Sequence, residues 1–130
     1  MVLVAREYVE YGVVFVCDPT SKIDVPDRTD LSLIRSTSNC ISVWTQHEVD
    51  GPTDLIMGRW RADELPFGLT CVFRQQLIFG NCVACLTDAN GIVFLRAKTE
   101  ISSCNVSVLV DDTIRPKLIH VSVEGLLDGA

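Results

Sequence analysis

The sequence predicts an all-β fold, an antiparallel β-sandwich or small barrel of about eight strands with at most one short helix. Three observations predict it. Apolar residues recur at every second position rather than every third or fourth. The alternating runs are short. Clusters of Pro, Gly, Asn and Asp separate them at regular spacing, and such clusters end strands.

The first strand is expected over 9–17. Val9, Tyr11, Val13, Phe15 and Cys17 share one face, while the other carries Glu10 and Gly12, then Val14 and Val16. Such a run becomes more buried as it proceeds. Residues 18–30 hold Pro19, Pro26 and four aspartates and read as a loop. A short strand is expected over 31–34. Over 40–48, Ile41, Val43 and Thr45 alternate with Cys40, Ser42, Trp44 and Gln46. Asp50-Gly51 is a turn signal, lengthened by Pro52.

Residues 54–60 read as the return strand. A helix is the alternative there, because Ile56, Trp60 and Glu64 fall at helical spacing, although Gly58 weakens it. Phe67, Leu69, Cys71 and Phe73 alternate cleanly. Residues 77–87 form another apolar run, interrupted by Gly80-Asn81. Asp88-Ala89-Asn90-Gly91 is a strong turn, so 92–99 should fold back on 82–87 as a hairpin. Val106, Val108 and Val110, then Ile119, Val121 and Val123, supply the last two strands.

The chain has 130 residues, 48% hydrophobic and 22% charged, which predicts one folded domain over 1–130. A chain of this size buries roughly two thirds of its unfolded surface. The net charge of −6 opposes binding to nucleic acid, which needs a basic footprint, and to an anionic membrane surface. Arg6, Glu7 and Glu10 interrupt the apolar stretch that a secretory leader would need, so a cytoplasmic location is expected.

Six cysteines, Cys17, Cys40, Cys71, Cys82, Cys85 and Cys104, lie mostly inside apolar runs, which favours packed thiols over a disulfide framework. Cys82 and Cys85 match C-x-x-C. No second pair exists to complete a zinc site, and on a strand the two side chains would point to opposite faces. Aspartates at 18, 24, 27 and 30, with Asp111 and Asp112, are a conceivable calcium set if their loops meet, but the EF-hand spacing is absent. No metal or cofactor is expected.

The candidate binding residues are Arg59, Arg61, Trp44, His47 and His120. His47 and His120 are the only histidines, and each sits near the polar face of an expected strand. Arg59-Trp60-Arg61 places two guanidiniums beside an indole, a group able to engage a carboxylate, a phosphate or a protein. No nucleophile elbow, P-loop, dinucleotide fingerprint or His-Glu-x-x-His is present, so no catalytic residue is assigned.

The first functional reading is a non-enzymatic interaction domain, an acidic inhibitor-like protein that binds a basic partner. The second is small-molecule binding in an apolar pocket between sheets, lined by Trp44, Phe67, Phe73 and Phe94. The third is a hydrolase using His47 or His120. The long apolar 9–16 run must be central or covered, and a homodimer is the economical cover.

Overall fold

The structure is a computed structural model and describes residues 2–27, 32–60 and 68–127. Most of the alternating runs form strands, although the short one expected over 31–34 lies at 34–36 and the one over 40–48 ends at Trp44. Among the described residues there are ten: β1 (Val2–Glu7), β2 (Val13–Cys17), β3 (Ile34–Ser36), β4 (Cys40–Trp44), β5 (Thr53–Gly58), β6 (Thr70–Ile78), β7 (Val83–Thr87), β8 (Val93–Lys98), β9 (Ser103–Val110) and β10 (Leu118–Val123). The only helical pieces among them are two single 3-10 turns, at Glu10–Gly12 and Glu48–Asp50.

Two five-stranded sheets pack face to face. The first has the order β1-β5-β10-β9-β6 and the second β3-β4-β2-β7-β8. Every pairing is antiparallel except β5 with β10, which run parallel. The sandwich reading holds, with more strands than expected. No helix among the described residues is long and apolar enough to cross a membrane.

The period of two decides what fills the space between the sheets. Leu55, Met57, Val106, Val108, Val110, Ile119, Val121 and Val123 face inward from the first sheet. Val14, Val16, Ile41, Val43, Ala84, Leu86, Leu95 and Ala97 meet them from the second. A smaller cluster of Val13, Phe15, Cys17 and Cys40 occupies the opposite face of the second sheet, with Ile23 and Trp44 packed against it. That explains why β2 is apolar on both faces.

Several expectations need correction. The strand expected over 9–17 starts only at Val13. Tyr11 and Gly12 adopt φ of 61° and 62°, and this left-handed kink turns the chain before β2 begins. β2 is central, between β4 and β7, so the apolar run that argued for a homodimer is already covered on both edges. β1 was not anticipated. The segment from residue 53 is strand through Gly58, as favoured over helix, but it does not return on β4: β5 lies in the other sheet, between β1 and β10. β6 begins at Thr70 and carries a bulge between Cys71 and Phe73, so these two residues do not share a face. Phe67 and Glu64 lie outside the described residues.

The hairpin expected at 88–91 forms as read. The Asp88 carboxylate accepts from the amides of Asn90 (2.8 Å) and Ile92 (2.9 Å), and Gly91 takes φ of 82°. β7 and β8 pair across it.

Candidate functional site

Four chain segments converge at one end of the sandwich around a cleft of about 650 Å3. The kink before β2 supplies Tyr11 and Gly12. Leu33 enters just before β3. The end of β4 and the turn after it supply Trp44, Thr45, His47, Val49 and Asp50, and the β9–β10 loop supplies Thr113, Ile114 and Arg115.

Backbone bonds stitch these walls together. The Trp44 amide donates to the Leu33 carbonyl (2.9 Å), the Thr45 amide to Gly12 (2.8 Å) and the Gln46 amide to Pro116 (2.9 Å). Buried Gln46 also donates from Nε2 to the Pro52 carbonyl (2.6 Å), closing the 46–52 turn.

The rims are equally well tied. His47 Nδ1 accepts from the Val49 amide (3.2 Å) and caps the 3-10 turn at 48–50. Asp112 accepts from the amides of Ile114 (2.7 Å) and Arg115 (3.1 Å). Asp111 accepts from those of Lys117 and Leu118, both at 3.0 Å. Fixed loops therefore hold two aliphatic side chains out in water: Val49 is 81% exposed and Ile114 80%. Tyr11, in its left-handed conformation, is 63% exposed beside them.

The structure brings together only two of the five expected binding residues, Trp44 and His47. His120 sits on the far face of the first sheet, buried beneath Trp60, with ring centroids 4.1 Å apart. Ser122 fixes that indole's backbone: its Oγ accepts from the Trp60 amide (3.3 Å) and donates to the Trp60 carbonyl (3.0 Å). Burial holds the His120 imidazole below its ordinary pKa. Arg59 donates to the Leu126 carbonyl (3.3 Å), away from the cleft. Arg61 lies outside the described residues. His47 lies in the turn after β4 and not on a strand face, whereas His120 lies on β10, so the two do not share one strand surface.

The aromatics proposed for a pocket between the sheets are dispersed. Phe73 and Phe94 pack against the main core, whereas Trp44 belongs to the smaller cluster on the opposite face of its sheet.

The acidic loops are also occupied. Asp18 is fully buried and accepts from the Thr20 amide and hydroxyl and from the amides of Asn81 and Val83. Asp111 and Asp112 fold their own loop. No three metal-ligating side chains gather among the described residues, and Asp30 lies outside them. Cys82 takes φ of 58° in the turn before β7 while Cys85 lies within β7, so the C-x-x-C spacing does not pair them on one strand.

Sequence reasoning missed Tyr11, Val49, Asp50, Ile114 and Arg115. One local signal existed: Gly12 inside an apolar run marks an irregularity, and it is this kink that turns Tyr11 into the cleft wall. Compared with protein-family models, curated proteins and solved structures, the chain finds no match.

Proposed function

We propose that this chain is a non-enzymatic interaction domain that receives an apolar anchor of a basic protein partner in the end cleft. The observation that carries this reading is the exposure of Val49 and Ile114 on hydrogen-bonded loops flanking aromatic walls. Water offers no return for holding two aliphatic side chains outward, whereas a partner that covers them gains their burial. A small molecule seated within the cleft would leave the rim exposed, and this favours a macromolecular partner.

Charge supports the partner's sign. Glu48, Asp50, Asp111 and Asp112 stand on the two rim loops against Arg115 and Lys117, within a chain of net charge −6. Complementary charge accelerates encounter, while the apolar anchor sets the lifetime of the complex.

The test compares wild type with Val49→Asp and Ile114→Asp as baits in native extract, followed by titration of any retained protein. Both positions are exposed, so the variants should fold. Each is expected to weaken binding by about 2 kcal/mol, roughly thirtyfold in Kd. Equal retention by all three baits would refute the cleft as the interface. A small molecule that raises the melting temperature of wild type and of both rim variants alike would favour ligand binding instead.

A further inference from the structure

Strand register places three thiols in one row across the second sheet. Cys17 on β2 lies opposite Cys40 on β4 and, on its other flank, opposite Cys85 on β7. All three are buried on the sheet face turned away from the main core, where Cys17 and Cys40 form half of the smaller cluster. Directly opposed residues on antiparallel strands have Cα atoms about 4.5–5.5 Å apart. That lies within the span of about 4.4–6.8 Å that a disulfide bridges.

We propose that Cys17 and Cys40 are a site of reversible oxidation by hydrogen peroxide, closing a cross-strand disulfide, with Cys85 as the alternative partner of Cys17. Packing alone asks for small apolar side chains in this cluster. It does not ask that two of them be thiols facing each other across neighbouring strands, as Cys17 and Cys40 are.

The Cys40 thiol beside it holds the Cys17 thiol below its ordinary pKa, against the opposing effect of burial, which favours Cys17 as the attacking sulfur. Burial pushes Cys85 up to about 11, so it stays protonated while Cys17 reacts. The cluster is packed under Ile23 of the loop after β2 and not under the opposing sheet, and peroxide is close to water in size.

The electrons balance in two steps. The Cys17 thiolate attacks one peroxide oxygen, the O–O bond breaks, and the departing hydroxide takes a proton to become water. Cys17 is then a sulfenic acid. Cys40 gives up its proton and attacks the Cys17 sulfur. The S–O bond breaks, and hydroxide leaves as a second water. Two thiols have lost two electrons, and one peroxide has become two waters. A small dithiol restores both thiols by exchange.

The test uses the full chain carrying Cys71→Ser, which removes an exposed thiol without touching the row. After peroxide treatment, non-reducing peptide mapping should show the loss of two hydrogens and a Cys17–Cys40 link, reversed by dithiothreitol. Adding Cys40→Ser should redirect the link to Cys17–Cys85. Full alkylation of both Cys17 and Cys40 after oxidation and unfolding would overturn the proposal, as would a disulfide confined to Cys82 and Cys104. The Cys71→Ser protein decides this alone, so the outcome survives if the buried variant misfolds.

Discussion

Two buried polar side chains show how single residues set stability here. Asp18 is enclosed at the end of β2, and burial alone would raise its pKa. The Thr20 hydroxyl and the amides of Asn81, Thr20 and Val83 outweigh burial and hold the carboxyl below its usual range. Its contribution is therefore complete above the unfolded value of about 3.9 and is lost as pH falls through the lower folded value. Asp18→Asn turns an amide group toward backbone donors and should cost about 2 kcal/mol in urea unfolding at neutral pH. His120 has the opposite chemistry. Its Nδ1 is buried with no hydrogen-bond partner among the described residues, so the folded state resists protonation. The unfolded chain takes up the proton first, near its ordinary value of about 6.5. Stability should thus be intact above that pH and decline as pH falls from it toward the depressed folded value. Comparing urea midpoints at neutral and mildly acidic pH checks this, and His120→Gln should flatten the decline. An unchanged slope in that variant would place the proton uptake elsewhere.

At the scale of elements, legibility followed how local the causes are. The β7–β8 hairpin was readable because Asp88, Asn90 and Gly91 carry the turn in their own side chains and backbone. β9 and β10 were readable because their valines alternate without interruption. β1 was not, since its first four residues, Val-Leu-Val-Ala, are apolar without a polar beat, and only pairing with β5 makes them a strand. The bulge in β6 was hidden for the same reason: Cys71, Val72 and Phe73 look regular until β9 lies alongside. The kink at Tyr11 is the element that bears on the proposed binding, because it turns the ring into the cleft wall. A tyrosine at φ of 61° carries a backbone cost of about 1 kcal/mol that asparagine largely avoids. Tyr11 is mostly exposed, so little burial is lost on replacing it. Tyr11→Asn should therefore raise stability by about 0.5–1 kcal/mol while weakening partner binding about tenfold. Stability and binding that fall together would mean that the ring holds the kink in place and does not serve a partner.

At the scale of the whole molecule, the sandwich concentrates its sequence-distant loops at its ends, and one end holds the cleft proposed as the binding site. Trp44 and His47 could be singled out as residue types, but Tyr11 and Arg115 join them only through the β2–β4 pairing and the β9–β10 connection, which no single-segment pattern encodes. The charge of −6 was visible from composition; its place on the rim loops was not. That placement makes a prediction about rates. If Glu48, Asp50, Asp111 and Asp112 steer a basic partner, association should slow as salt rises, because the screening length falls from about 10 Å at 0.1 M to about 3 Å at 1 M. Dissociation should change little, since the apolar rim sets it. Lys117 is exposed beside the cleft but does not line it, and its amide rather than its side chain bonds Asp111, so Lys117→Glu leaves the loop intact. Stopped-flow association of this variant should be faster than wild type at low salt by about twofold to tenfold and should converge with it at high salt. A slower variant would reverse the inferred sign of the partner. Salt-independent rates in both proteins would reduce the interface to the apolar contacts of Val49, Ile114 and Tyr11.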